Sequence, residues 1–336
     1  MKNLIFFLLI FLPLTLCAQG ELKRHTKVLK LMGSRFEITA VHEDDTLAWE
    51  AIRACIAEIE RIERLISEWD TLSQTHQINI QAGVRPVLVD EELFALIRRS
   101  KKVSELTNGA FDISFAAIDK IWRFDGSMKE MPPAEKIKNS VRLINYQDIL
   151  LDENQKSVFL KNKGMKIGFG AIGKGYAANR GKKVMQALGI RSGIVNAGGD
   201  LIAWGNNATG EPWKIGITDP NDKNKMISWL NVADMAVVTS GDYEKFVVFD
   251  GIRYAHIIDP HTGYPARGLK SVTILCPDAE LADALATGVF VLGETPGLAL
   301  INQLKGIQCL IITDRNEIKT SQGLELNLIS DSTQKD

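Results

Sequence analysis

Three stretches of this sequence carry side chains able to act together on a charged substrate. The first is Gly168-Phe169-Gly170-Ala171-Ile172-Gly173-Lys174-Gly175. It matches both G-x-x-x-x-G-K and G-x-G-x-x-G. A P-loop needs Ser or Thr after the lysine to hold magnesium, and Gly175 stands there. A dinucleotide fingerprint needs an acid about 20 positions further on, within a βαβ unit. The first carboxylate after the loop is Asp200, well beyond that spacing. Two readings stay open: a tight strand-to-helix turn, or an anion cradle. The cradle would be built from backbone amides, a helix dipole and the Lys174 charge.

The second stretch is Tyr254-Ala255-His256-Ile257-Ile258-Asp259-Pro260-His261-Thr262-Gly263-Tyr264-Pro265. Pro260 ends a strand, because proline donates nothing to a ladder. His256 at that strand end is either a general base near neutral pH or a satisfied structural histidine. His25, His42 and His76 lie in polar surroundings and read as solvated. The third stretch holds Asp283 and Thr287, four apart and so on one helix face among Ala282, Ala284, Ala286 and Gly288. A carboxylate in such apolar company requires a partner. Two oxygen donors suit a hard cation such as Mg²⁺. The competing account is a local bond from Thr287 back along the helix. No CxxC or HExxH pattern points to zinc.

Elements must hold these groups in place. Residues 28–40 read as a strand pair turning at Met32-Gly33-Ser34. Ile52, Ile56, Ile59, Ile62, Ile66 and Trp69 recur at helical spacing and predict a helix over 46–69. A second helix covers 93–106 and stops at Asn108-Gly109. Pro132-Pro133 marks a loop or insertion. A short strand at 165–167 leads into the glycine loop, and a helix follows over 176–188, ended by Gly189. Strands are expected at 193–204, 213–218, 271–275 and 308–313, with a hairpin of 246–249 and 253–258 turning on Asp250-Gly251. A helix covers 279–292. Hairpins with a few long helices predict an α+β fold, not a regular parallel sheet.

The 336 residues carry 40 Lys+Arg against 41 Asp+Glu, a net charge of −1, with 45% hydrophobic and 24% charged residues. That is an ordinary globular composition, not a disordered one. Balanced charge excludes broad electrostatic capture of nucleic acid. Four cysteines without close pairs exclude a disulfide scaffold; Cys55, Cys276 and Cys309 read as small buried hydrophobes. Lys2 followed by an apolar run over 4–16, too short for the about 20 residues of a spanning helix, reads as a signal peptide over 1–18 cleaved after Ala18. The rival is a lipoprotein signal with Cys17 lipidated, for which Leu16 is a poor preceding residue. The protein is therefore expected to be exported to the periplasm, free or anchored at the inner membrane. One domain over 20–330 and a frayed tail over 331–336 complete the expected organisation.

Taken together, the chain resembles the ApbE family of FAD:protein FMN transferases over about residues 28–320. The resemblance rests on ordered, separated motifs: Met32-Gly33-Ser34, Ser67-x-Trp69, Thr107-Asn108-Gly109-Ala110-Phe111-Asp112-Ile113-Ser114 and the glycine loop through Tyr176-Ala177. Asn196-Ala197-Gly198-Gly199-Asp200-Leu201, Thr239-Ser240-Gly241, the stretch from His256 to Pro265, and Ala282-Asp283-Ala284-x-Ala286-Thr287 complete it. It implies mixed or antiparallel sheets with packed helices and an active site in a cleft between two subregions. It also implies a reaction: with Mg²⁺, the FMN half of FAD moves to a threonine of an acceptor protein and AMP leaves. Met32, Trp69, Ala110, Phe111 and Asp112 would contact the flavin nucleotide, with Lys174 and Ala266 along the same site. Asp283, Thr287 and the Ala171 carbonyl would hold the metal, and His256 would take the threonine proton. The acceptor would carry an Asp-Gly-x-Ser/Thr-Gly-Ala-Ser/Thr motif, which this chain lacks, and would be an electron-transport subunit.

Three positions depart from the family pattern. Gly168 stands where an acid is frequent, Asn179 where another is expected, and Ala286 where many relatives carry a second carboxylate. The last leaves a bound cation with more water ligands. Two further activities fit the same residues: an FAD pyrophosphatase yielding FMN and AMP, and a flavin-binding protein without chemistry. A nicotinamide dehydrogenase would instead require a βαβ unit around Gly168 to Gly173. The flavin reaction requires the Asp283 face and the His256 ring to meet at one diphosphate.

Overall fold

In the computed structural model, which describes residues 21–118 and 121–328, an eight-stranded sheet organises the chain. In spatial order its strands are Lys23–Leu31, Ser34–His42, Ser192–Ala197, Asp200–Trp204, Met235–Gly241, Leu269–Cys276, Gln308–Thr313 and Ile318–Thr320. Every neighbouring pair is antiparallel. The expected α+β class holds, and the antiparallel ladder on both sides of 192–197 leaves no βαβ unit for a nicotinamide site. The signal peptide, Cys17 and the 331–336 tail lie outside the described residues.

The seven helices of the described residues are α1 (Asp45–Ile66), α2 (Gln74–Ile80), α3 (Glu91–Leu106), α4 (Ala134–Ser140), α5 (Gly173–Ala187), α6 (Ala279–Leu292) and α7 (Glu294–Ile301). One sheet face carries α1, α5 and α6. The opposite face is covered by the hairpin Trp213–Asp219 and Asp222–Val232. Strand side chains alternate between the two cores. Val272, Ile274 and Cys276 face the helices, while Leu275 faces the hairpin; Cys309 and Ile311 oppose Leu310 and Ile312 in the same way. This double covering explains why these strands read as continuous apolar runs.

The helix α1 buries Ile52, Ile59, Ile62 and Ile66, each worth about 1.5–3 kcal/mol of removed apolar surface. Asp44 caps it by accepting from the Thr46 and Leu47 amides. It stops at Ile66 because Ser67 turns extended, so Trp69 leaves the helical face predicted for it and stands in a loop. Cys55, Cys276 and Cys309 are buried free thiols, in keeping with their apolar surroundings in sequence.

Several boundaries differ for identifiable reasons. Residues 165–167 form no strand: the Asn79 amide donates to Ile167 O at 2.9 Å and accepts from its N–H at 2.7 Å, replacing a ladder partner. The helix expected from 176 starts at Gly173. Pro133 precedes α4 rather than a long loop. The 193–204 segment is a hairpin turning on Gly198 and Gly199, both at positive φ. Asp250 (φ 49°) and Gly251 (φ 74°) form the expected two-residue turn, though its second strand is Ile252–Ala255 and Ile258 instead bridges Pro265. A small sheet of Val87–Leu88, Ser157–Leu160 and Ile149–Asp152 was not legible, and neither was the strand Met235–Gly241 in the middle of the large sheet.

Gly181 sets the approach of α5 to α1: a Cβ there would lie 2.7 Å from Cys55 Sγ. Overpacking such a contact costs about 1–3 kcal/mol. Gly181→Leu should therefore lower the unfolding free energy by about 2–3 kcal/mol in urea titrations. An unchanged midpoint would show that this contact is not close-packed.

Candidate active site

The glycine loop works by bringing α5 against α6. Gly168 N–H donates to Ile113 O at 2.9 Å, and Gly173 N–H turns back to Phe169 O at 2.7 Å. Ile172, the residue before α5, caps it with no side chain, so the first amides must find another acceptor. They find Asp283: Gly175 N–H donates to its Oδ2 at 3.0 Å, and the Lys174 amide adds a second bond. Gly175 is required because a Cβ would lie 2.1 Å from Ala279 O and 2.8 Å from Asp283 Cβ. A serine or threonine of a P-loop could not stand there. The amides of residues 174 and 175 thus serve a carboxylate of the protein itself, which corrects the picture of a wholly free anion cradle.

The Lys174 ammonium is likewise engaged. It is ion-paired with Asp200, which lies at the start of the strand Asp200–Trp204. Asp200 and Asp283 are both buried, and Lys174 feels both charges. Burial, and then the neighbouring Asp200 charge, pushes the Asp283 carboxyl up to about 7. Burial likewise pushes Asp200 up against the pull of Lys174. Two carboxylates share one ammonium, leaving an excess of negative charge in a desolvated place. That is the electrostatic demand a cation would answer. Thr287 follows Asp283 by one turn, half-buried, and its hydroxyl forms no hydrogen bond among the described residues, which removes the local back-bond account. Ala171 is half-buried in the loop before α5. Among the described residues no three His, Cys, Asp or Glu side chains gather around a metal position. Asp283 and Thr287, one turn apart on α6, offer one carboxylate and one hydroxyl, oxygen donors of the kind a hard cation takes.

His256 follows the strand Ile252–Ala255 and is anchored by its N–H donating to Lys245 O at 3.0 Å. Its Nδ1 is buried with no partner, and Phe124 meets the ring edge-on. Burial holds its pKa below the ordinary 6.5; the Lys245 backbone and the Glu244 charge oppose this, while the Lys245 and Lys174 cations act with burial. The Lys174 charge acts on both the Asp283 carboxyl and, more weakly, the His256 ring. Ala266 adjoins it, donating its N–H to Ile257 O at 2.8 Å.

The residues expected around a nucleotide take varied places. Met32, at φ 47°, donates its N–H to Glu63 and reaches the Gly173 turn. Trp69 is 69% exposed. Ala110 and Phe111 are buried, with Phe111 beside Gly288 of α6. Asp112 is occupied internally: Oδ1 accepts from Ser114 N–H and hydroxyl at 2.7 Å each, and Oδ2 accepts from Tyr146 N–H at 2.8 Å. Its carboxylate shapes the 110–114 turn, leaving backbone groups for any ligand. Asp259 and His261 tie the histidine hairpin to this turn. Asp259 accepts from the His261 N–H and the Thr262 hydroxyl, and the His261 ring lies 3.0 Å from Asn108 O.

Sequence reasoning missed the partnership of Lys174 with Asp200, the nearby charge of Glu244, and Glu68. The Glu68 carboxylate stands beside Gly168, 3.2 Å from where a Cβ of that glycine would be. Asp200 is visible in the sequence as the first acid after the loop, but nothing local pairs it with Lys174. Nothing in the local pattern pairs Glu68 with Gly168.

The ApbE family model matches residues 32–311. An FAD:protein FMN transferase of Klebsiella pneumoniae is 33% identical over 290 residues, covering 86% of this chain and 89% of the relative. One of Treponema pallidum is 34% identical over 262 residues, covering 74% and 72%. Among solved structures, the ApbE protein of Thermotoga maritima superposes with a TM-score of 0.82 at 33% identity, covering 89% of this chain and 97% of that one. The apo flavinyl transferase ApbE of Pseudomonas stutzeri gives 0.78 at 26% identity, covering 90% and 95%.

Removing the shared ammonium should expose the charge imbalance. Lys174→Met leaves two buried carboxylates without a cation and should cost about 3–5 kcal/mol at pH 8 in EDTA. Adding Asp200→Asn should restore at least half of that loss. Additive losses in the double variant, read from urea midpoints, would show that the two side chains do not form a stabilising pair.

Proposed function

This chain belongs to the ApbE family, and from that premise we propose that it transfers the FMN moiety of FAD to a threonine hydroxyl of an acceptor protein. The observation that supports the reading is the buried Asp283–Lys174–Asp200 cluster at the start of α5, with a buried His256 whose Nδ1 has no partner. A threonine hydroxyl is a weak nucleophile until a positioned base takes its proton. His256 suits that role, because burial lowers its pKa and keeps its imidazole neutral at pH 7. As the proton passes to His256, the threonine oxygen bonds to the FMN phosphorus. The bond from that phosphorus to the bridging oxygen breaks, and AMP departs with it.

Asp283, Thr287 and the Ala171 carbonyl are the residues that would hold Mg²⁺. Bound there, the ion would supply charge neutralisation for the diphosphate. Lys174 keeps Asp200 and Asp283 compact in the same cluster. Met32, Trp69, the 110–112 backbone and Ala266 would line the flavin nucleotide. The proposed acceptor is an electron-transport subunit presenting the Asp-Gly-x-Ser/Thr-Gly-Ala-Ser/Thr motif, and the apolar run over 4–16 supports a periplasmic reaction, free or at the inner membrane.

Incubation with FAD, Mg²⁺ and an acceptor peptide should raise the peptide mass by one FMN, and EDTA should abolish the gain. Free FMN without adduct would overturn transfer in favour of hydrolysis, and no product at all would overturn both. His256→Ala should lower the transfer rate by about 10²–10⁴-fold. Because burial depresses the His256 pKa, its neutral form is lost only as pH falls through a value below 6.5. Transfer should therefore rise from the acid side and reach its plateau before neutrality, an inflection missing from the variant's profile.

A further inference from the structure

The ring of His256 is met by a segment from far along the chain. Residues 121–131 place Ile121, Trp122, Phe124, Met128 and Met131 among polar neighbours. Trp122 is buried, and its Nε1–H donates to Gly263 O at 2.8 Å, in the turn that follows the histidine. Its ring stacks with Tyr254, centroids 6.1 Å apart at 24°, and meets Tyr264 edge-on at 6.3 Å. Phe124 stacks in turn with Trp122, at 6.4 Å and 11°. From that seat the Phe124 ring meets the His256 imidazole edge-on, centroids 6.4 Å apart at 77°. The chain bends back directly afterwards: Asp125 accepts from the Ser127 N–H at 2.9 Å and from its hydroxyl at 2.6 Å, and Gly126 stands at φ 81°. Half-buried Met128 returns to the same apolar cluster. The segment is a strap pinned at Trp122, with Phe124 laid against the base.

Phe124 has neither donor nor acceptor, so it can neither carry a proton nor fix the imidazole by a hydrogen bond. What an aromatic edge does beside a base is displace water. Two features of His256 agree with that: its Nδ1 is buried without a partner among the described residues, and burial is the largest influence on its protonation. Exclusion of water has a chemical consequence here. A base that accepts the proton of a threonine hydroxyl accepts one from water equally well. In that competing reaction a water proton passes to His256, the water oxygen bonds to the FMN phosphorus, the bond to the bridging oxygen breaks and AMP leaves. Free FMN results instead of an adduct. The two reactions differ only in the nucleophile, and solvent is in vast excess. Keeping solvent from the base is what gives a protein hydroxyl the advantage.

We propose that Phe124 is a specificity-determining residue that keeps water from His256 and so favours transfer to a protein hydroxyl over hydrolysis of the same dinucleotide. The identity of the two reactions rests on the transferase reading. The mature chain is incubated with FAD, Mg²⁺ and the acceptor peptide, and free FMN is measured against peptide-bound FMN. Phe124→Ala, and the longer but polar Phe124→Gln, should each raise the ratio of free to bound FMN about tenfold. Phe124→Leu keeps an apolar cover and should leave the ratio close to that of the wild type. A second readout needs no turnover. The His256 ring titration, followed by NMR without FAD, should move up toward the ordinary 6.5 in Phe124→Ala and Phe124→Gln, and stay in place in Phe124→Leu. An unchanged product ratio in both the alanine and glutamine variants, equal losses of both products, or a ring titration that does not move would overturn the proposal. A wild-type chain that yields free FMN and no adduct would sink the transferase reading instead. The rate of free FMN formation, expected to rise in Phe124→Ala, would then decide the role of the strap together with the ring titration.

Discussion

Two carboxylates buried around one ammonium set the character of this molecule. Asp200 and Asp283 come from different elements, a central strand and α6, and both are removed from water. Lys174, from the first turn of α5, is the cation that joins them. Burying charge is tolerated only with excellent pairing, and two against one is incomplete pairing. The shortfall is partly met by backbone amides, since the α5 N-terminus points its first N–H groups at Asp283. The positive end of a helix and a lysine together hold a site that still carries excess negative charge. A fold does not keep such an arrangement for stability, because apolar residues of the same volume would pack there at lower free energy.

Glycine makes that arrangement sterically possible. At Gly175 the backbone of α5 lies against Ala279 and Asp283 of α6, and at Gly288 the same α6 lies against Thr107 and Phe111. Side chains at these positions would push the helices apart and carry Asp283 away from the amides that hold it. The carboxylate cluster, the 107–114 turn and the glycine loop are thus a single packing unit. The histidine hairpin joins it through the His261 ring, which lies 3.0 Å from Asn108 O.

The helices and the Asp250-Gly251 hairpin turn were legible in the sequence because both are local. Isoleucine at helical spacing in α1, Asp250-Gly251 and the Asp283-to-Thr287 turn depend on neighbours a few residues away. What escaped detection is non-local. Residues 165–167 look like a strand, but the Asn79 side chain supplies their hydrogen bonds from far along the chain. Lys174 looks like a phosphate ligand, and only the fold reveals that Asp200, across a helix and a strand, has claimed its ammonium. Asp112 reads as a binding carboxylate, yet the turn it closes consumes both of its oxygens. In each case the residue type was identified correctly, and the partner lay beyond the reach of pattern.

Gly168 sharpens that lesson. Compared with its family pattern, the loop lacks an acid at its first position, and a motif reading takes this as a lost contact. In the structure the space a side chain would need at this position is taken by Ala116 Cβ and the end of the Glu68 side chain. Chemistry in a folded chain belongs to a place, not to a position in the sequence. Any segment able to reach the place can furnish the group, provided the residue it displaces becomes small enough to admit it. The loop from Ser67 to Asp70 is held by its own hydrogen bonds, and Glu68 from it ends beside Gly168, a meeting that no local pattern announces.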